Sequence, residues 1–369
     1  MTIPLSVLDL APIVEGGTPA QAVGNAVELA QVAEAAGYRR FWLAEHHFAA
    51  VASSSTTTLI ALVAAATRRI RVGSAAVQTG HHRAAAVVEA FGTIDALYPG
   101  RLDLGLGRSG QRRVQVRAGT VAPPSAPEHV VGGLLIPERF PVETLLASPR
   151  IGASAAALEF PGAQPPEFAG VVGDIESLLA GDYTVDDVAL RAVPGEGAQV
   201  ELWIFGSSAG ESAQVAGRRG LPFVANYHVS PATVLDAIEA YRGAFVPSHR
   251  LAQPYVVVSA DVVVADDDAT ARHLASTYGH WVHDIRTGHG ARAYRDPGTA
   301  PALTDEQRRV VDDRLRTQFV GDPDAVAEHL HTLARVTGAD ELVITSVTHD
   351  FEARKRSHQL LAKVWGLPG

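Results

Sequence analysis

The stretch Phe41-Trp42-Leu43-Ala44-Glu45-His46-His47-Phe48 decides the fold. Its apolar first half has the length of a buried parallel strand, and it runs without a spacer into a carboxylate and two imidazoles. A strand that ends in this way delivers ionisable groups somewhere. In parallel α/β proteins that place is the rim at the carboxyl ends of the strands, where ligands bind.

Working outward, residues 3–10 read as a preceding strand, and Thr18-Pro19 opens a helix that Gly37 stops. Downstream, a helix over 55–69, a strand over 70–77, a helix over 84–97 and a strand over 101–106 continue the rhythm. Short-linked alternation of this kind builds a parallel sheet from right-handed βαβ units. It resumes with strands over 201–206, 221–225, 255–265 and 340–347, the last followed by a helix over 351–365. Eight strands predict an α/β protein of the closed (β/α)8 TIM-barrel type, with residues 1–369 as one domain. Two spans break the rhythm. One, about 109–198, is rich in Pro and Gly, with helices expected only over 141–150 and 171–179; the other, 279–317, is rich in Gly and His and reads as irregular.

Composition narrows the functions. A chain that is 47% hydrophobic and 19% charged has material for a large core. A net charge of −9 argues against nucleic acid as the main partner, because phosphate backbones require a basic face. No apolar run reaches membrane-spanning length and the first residues lack the pattern of a signal peptide, so a cytoplasmic location is expected. With no cysteine there is no disulfide framework and no thiolate nucleophile or metal ligand.

If the barrel forms, its rim carries Asp9, Glu45-His46-His47, Ala75-Ala76-Val77, Gly105 to Arg108, Gly206-Ser207-Ser208, Asn226-Tyr227-His228 and Thr345-Ser346. In Gly206-Ser207-Ser208-Ala209-Gly210-Glu211-Ser212 a strand enters a turn of glycines and serines that opens a helix. Free backbone N–H groups and hydroxyls there can face an anion, with Arg108 as counter-charge, although an ordinary capped helix start has the same composition. His46 and His47 read equally as a core and a surface histidine, and Glu45 as a partner of Arg39 or Arg40. Alternation along a strand sends Glu45 and His47 to one face and His46 to the other, so the three cannot share one metal ion, and no metal is expected.

These motifs resemble the bacterial luciferase-like family of flavin-dependent monooxygenases. The resemblance rests on Phe41 to Phe48, on Ile70-Arg71-Val72-Gly73-Ser74-Ala75-Ala76-Val77, and on Pro99-Gly100-Arg101-Leu102-Asp103-Leu104-Gly105-Leu106-Gly107-Arg108. It extends through Gly206-Ser207-Ser208 to Gly338-Ala339-Asp340-Glu341-Leu342. It implies a TIM-type barrel, homodimeric, that uses reduced FMN from a separate NAD(P)H:flavin reductase. With O2 this forms a C4a-peroxyflavin, which oxygenates a small organic substrate.

Residue by residue, the resemblance makes His46 catalytic with Glu45 beside it. It puts the flavin against Glu45, Ala75 and Ala76, with a non-prolyl cis bond between the alanines. The FMN phosphate falls on Arg108, Ser207, Ser208, Ala209, Gly210 and Ser212, with a second cation at Arg112 or Arg113. The cysteine that luciferases carry just before this arginine is replaced by Gly107, which argues against light emission. His81 and His82 have no assigned role and read as solvated loop residues. Residues 279–290, with His280, Trp281, His283 and His289, read as a mobile lid, and the substrate walls are expected from 111–141 and 279–317. The competing functions are a deazaflavin- or FMN-dependent dehydrogenase or reductase on the same fold and a non-catalytic flavin-binding subunit.

Overall fold

A computed structural model describes residues 3–108, 126–146, 148–159 and 166–369. Its centre is a closed barrel of eight parallel strands: β1 (Leu5–Asp9), β2 (Arg40–Leu43), β3 (Arg71–Ser74), β4 (Leu102–Gly107), β5 (Val200–Gly206), β6 (Phe223–Asn226), β7 (Val256–Val264) and β8 (Glu341–Thr345). Each strand pairs with its neighbour in chain order, β8 pairs back onto β1, and the pairing of β4 with β5 runs from Leu102 opposite Val200 to Leu106 opposite Ile204. Among the described residues no helix is long and apolar enough to cross a membrane.

Period-2 alternation divides the core in two. Leu5, Val7, Phe41, Leu43, Leu104 and Ile204 face the helices, while Leu8, Trp42, Trp203, Val224, Val257 and Val343 fill the barrel. The two interior indoles meet edge-on at 5.2 Å. Glycine makes room where strands close around them: a Cβ on Gly73 would lie 2.2 Å from the Asp103 carbonyl oxygen, and one on Gly105 would lie 2.0 Å from that of Ser74.

The amino-terminal end of the barrel is ionic. Arg40 bonds Asp103 at 2.8 Å and Glu341 at 3.2 Å, and Trp42 Nε1 donates to Asp103 at 2.9 Å. All three ionised side chains are buried, so the charges are matched where water cannot screen them. Arg40 is therefore engaged at the opposite end of β2 from Glu45. Glu45 pairs with neither Arg39 nor Arg40, the alternative partners the sequence offered.

The two irregular spans are more ordered than their composition suggests. Residues 279–317 hold two helices, Tyr278–Arg286 and Asp305–Thr317, packed on each other. The second starts with a capping box in which Thr304 and Gln307 exchange bonds, and it carries acids in its first turn and arginines in its last. In the first, Tyr278, His280, Trp281 and Asp284 are buried. Residues 279–286 are thus a packed helical wall where irregular chain was expected.

In the other span, the expected second helix extends over Phe168–Ala180 and packs on the helix Ala84–Asp95 of the third β/α unit. The expected helix over 141–150 is instead a single turn, Glu143–Leu146, followed by Pro149–Leu158, because Ser148 and Pro149 start a new helix. Two small antiparallel hairpins, His129–Val131 with Leu134–Ile136 and Thr184–Val185 with Val188–Ala189, complete it.

Candidate functional site

After Leu43 the chain leaves β2, and Thr56 Oγ1 pins the exit by donating to the carbonyls of Ala44 and Ser53 at 2.9 and 3.0 Å. The expected alternation persists through this turn. Glu45 and His47 point one way and bond each other, Oε1 to Nε2 at 3.0 Å, while His46 points into a cavity at the rim. Glu45 is buried and does not line that cavity. His82 joins it from the loop after β3, with Nε2 2.9 Å from the same Oε1, so this exposed loop residue, to which the sequence assigned no role, has a partner in Glu45. Gln78 completes the surround through its backbone N–H to Oε2 at 3.4 Å and its side-chain amide to the Glu45 carbonyl at 2.7 Å.

These contacts set the proton affinities. Burial alone would raise the Glu45 carboxyl, yet the bonds from His82, His47 and Gln78 outweigh it and leave the carboxyl below its ordinary range. The bond to Glu45 raises His82 in turn. His46 is lowered by burial against the nearby negative charge of Glu45, with His47 adding to the lowering. A neutral imidazole can accept a proton near neutral pH.

The cavity is about 400 Å3, within the usual range for small-molecule sites. Leu10, Phe140, Val142, Leu145, Leu146, Trp281, Val282, Ile285 and Val347 give it apolar walls. Polar and charged groups line it as well: His46, Ser207, Ser208, Asn226, His228, Asp261, Arg314 and Thr345, with Arg139, Arg286 and Asp313 standing among the apolar residues. Asp261 Oδ1 and Thr345 Oγ1 are buried without a hydrogen-bond partner. Arg314 lies 3.6 Å from Asp261 Oδ2 and donates to Tyr278 Oη. His228 is pushed down to about 3 by burial, with Arg314 and His46 adding to it, and its Nδ1 lies 2.6 Å from Ser259 Oγ. A second groove, between the helices Pro19–Ala35 and Phe351–Trp365, is more open and carries no such convergence.

The serine turn and Arg108 do meet. Arg108 Nη1 bonds Glu211 Oε2 at 2.9 Å, at the first residue of the helix Glu211–Arg218. No side chain caps that helix, so its first N–H groups are open to an anion. A Cβ on Gly210 would lie 3.4 Å from Arg108 Nη2 and 3.3 Å from Ser208 Oγ, which makes the glycine part of a cradle that a larger residue would narrow. The Ser207 carbonyl is tied to Thr233 Oγ1 at 2.5 Å, and Ser212 is buried behind the turn. The cradle is continuous with the cavity through Ser207 and Ser208. A cation, hydroxyls and an open helix start suit a phosphate monoester, and the adjoining cavity suits an aromatic ring system, so these residues fit FMN.

At the third strand, Arg71–Ser74 and Val77–Gln78 are separate segments instead of the single expected strand, and the Ala75–Ala76 bond between them is cis. A Cβ on Gly107 would stand 3.3 Å from that of Ala76. A cysteine there would press on this segment, and glycine does not. Asp9 proves structural, bonded to Arg354 at 3.3 Å. Arg112 and Arg113 lie outside the described residues, as do residues 111–125 of the expected 111–141 wall.

Sequence reasoning missed Asp261 and Arg314. Asp261 had a signal, since Ser259 and Asp261 are polar residues two apart in the apolar run Val256–Val264 and so share the barrel-facing side. Arg314 had none, because its helix was read as irregular.

A family model described as luciferase-like monooxygenase matches residues 4–130 and 173–341. An uncharacterised protein of Bacillus subtilis (strain 168), YvbT, is 34% identical over 364 residues, covering 98% of this chain and 96% of its own. A luciferase-like monooxygenase of Escherichia coli (strain K12) is 32% identical over 372 residues, covering 98% and 97%. The crystal structure of apo-MsnO8 superposes with a TM-score of 0.75 at 30% identity, covering 99% of this chain and 98% of that one. Two remoter structures share the fold. The oxygenating constituent of 3,6-diketocamphane monooxygenase from Pseudomonas putida, in complex with FMN, has a TM-score of 0.58 at 17% identity, covering 98% and 97%. The coenzyme F420-dependent tetrahydromethanopterin reductase of Methanopyrus kandleri has 0.59 at 15%, covering 98% of each chain.

Proposed function

The chain belongs to the luciferase-like monooxygenase family, and from that premise we propose that it takes up reduced FMN and O2 and places an oxygen atom on a small, largely apolar organic substrate. The observation that carries this proposal is the junction of the Arg108–serine cradle with a cavity into which His46 projects. Arg108 and the turn from Ser207 to Ser212 hold the phosphate, and Ala75 and Ala76 flank the ring system. Reduced flavin, when bound, supplies the electrons that activate O2.

The protein's own part is positional and acid–base. His46, neutral at working pH, accepts or returns a proton at its cavity-facing ring. Glu45 acts on His46 through its charge and by fixing the turn on which His46 sits. The apolar walls, Trp281 among them, exclude water. The enzyme would work as a cytoplasmic homodimer and draw its reduced flavin from a separate NAD(P)H:flavin reductase.

The F420-dependent neighbour makes deazaflavin the specific alternative. Equilibrium titrations of the chain with FMN and with F420 separate the two, and tight binding of F420 without FMN would sink the proposal. With photochemically reduced FMN and O2, His46→Ala should cut productive oxygenation of a test substrate by about a hundredfold. FMN affinity should stay close to the parent's. Equal coupling in parent and variant would remove His46 from the chemistry.

A further inference from the structure

Alternation through the turn after β2 sends His46 away from Glu45 and His47, which stay on the same side, and the fold then brings His82 to them from a different loop. We propose that Glu45, His47 and His82 bind one divalent transition-metal ion of the zinc type, which clamps the turn carrying His46.

The geometry points to an ion in three ways. Glu45 Oε1, His47 Nε2 and His82 Nε2 all lie within 4.8 Å of one another. Both imidazole nitrogens stand 2.9–3.0 Å from the same carboxylate oxygen. Ligands held about 2.1 Å from a tetrahedral zinc-like ion are separated by about 3.4 Å, so each imidazole would have to draw back from the carboxylate oxygen by only about half an ångström to admit one. The carboxylate is also held from behind by the Gln78 N–H, the kind of outer support that metal-ligating carboxylates receive.

The donor set and its surroundings agree. Two imidazoles and a carboxylate, in a chain without cysteine, suit zinc better than calcium or magnesium, which take oxygen ligands. Glu45 is buried, whereas the His82 side chain is 39% exposed, which gives an ion a way in and leaves coordination positions open to water. Beside the cluster, His81 Nδ1 is buried without a partner, with its ring 6.0 Å from that of His47. The ligands at 45 and 47 flank His46 directly, so an ion there fixes the backbone on both sides of the residue that enters the cavity. The clamp is structural, and no electron passes through it.

The test uses the full chain without a histidine tag, stripped with chelator. Calorimetric titration with Zn2+ should give one ion per chain, and the thermal midpoint should rise with Zn2+. His82→Ala and, separately, His47→Gln should each weaken binding by about tenfold or more. Co2+ in the parent should give the weak visible bands of a nitrogen–oxygen site, a readout that does not depend on any variant folding. Zn2+ binding no tighter in the parent than in His82→Ala, or a parent Co2+ spectrum equal to that of the free ion, would overturn the site and leave only a hydrogen-bonded His–Glu–His cluster. FMN titration of the same samples reports separately on the functional proposal.

Discussion

Arg108 shows what one residue must do when two partners compete for it. It is bonded to Glu211 at 2.9 Å with both side chains partly exposed, and an isolated pair of that kind is worth only about 0–1 kcal/mol. A phosphate monoester entering the serine turn offers more charge and more acceptors, so Arg108 should exchange one partner for the other. Hydrogen bonds to charged groups contribute about 1.5–3 kcal/mol, so Arg108→Ala should weaken FMN about tenfold or more. Riboflavin, which lacks the phosphate, should bind the variant and the parent alike. Glu211→Gln should instead tighten FMN several-fold by removing the competing carboxylate. Equal loss of FMN and riboflavin in Arg108→Ala would place the arginine elsewhere than at the phosphate. Arg108 and the serines were legible because each ends a strand or opens a helix. His82 was not, since nothing local in its sequence says that it reaches the carboxylate of Glu45.

At the scale of elements, strand closure depends on small residues where two backbones pass within van der Waals reach. Gly73 sits beside Asp103, and an added Cβ would lie 2.2 Å from a carbonyl oxygen that cannot swing away as a flexible side chain can. Gly73→Ala should therefore destabilise the barrel by roughly 3 kcal/mol or more, read as a drop in the urea midpoint. Gly24 is the matching control. It is an exposed helical position with no atom within 4 Å of an added Cβ, and Gly24→Ala should stabilise by about 0.5–1 kcal/mol. A variant pair that unfolded at the same urea concentration would contradict the close-approach argument. The elements themselves were legible wherever period and punctuation agreed, as in the closing helix Phe351–Trp365. They were lost over 279–317, where Gly and His masked a buried helix, although the capping box of Thr304 with Gln307 is a local signal of a helix start. The break in the third strand was legible only through the family resemblance, which implied the cis bond between Ala75 and Ala76. Its residues by themselves read as one continuous run, which the cis backbone at Ala75–Ala76 divides.

Over the whole molecule, among the described residues, both matched ions and an unpaired imidazole are buried: Arg40, Asp103 and Glu341 close the amino-terminal end of the barrel, and His358 lies beneath the closing helix's surface. Eight strands could be counted from the sequence because each βα unit is local. The pairing of polar groups across the barrel could not, because it depends on long-range closure. His358 is 1% exposed, its Nδ1 has no partner, and its ring meets Tyr38 edge-on at 5.7 Å. Burial, reinforced by Arg354, pushes it down to about 3, whereas an unfolded histidine titrates near 6.5. Between those values the unfolded chain binds the extra proton, so stability rises with pH and is lost as pH falls below about 6.5. The loss from this side chain is roughly 1.4 kcal/mol per pH unit. His358→Phe keeps the ring and the backbone carbonyl that accepts from Tyr38 Oη at 2.9 Å, and it removes the titrating group. Urea melts at pH 7, 6 and 5 should show a shallower decline for the variant than for the parent, with His228 accounting for part of what slope remains. Parallel declines would mean that His358 takes up its proton in the folded state as readily as in the unfolded chain.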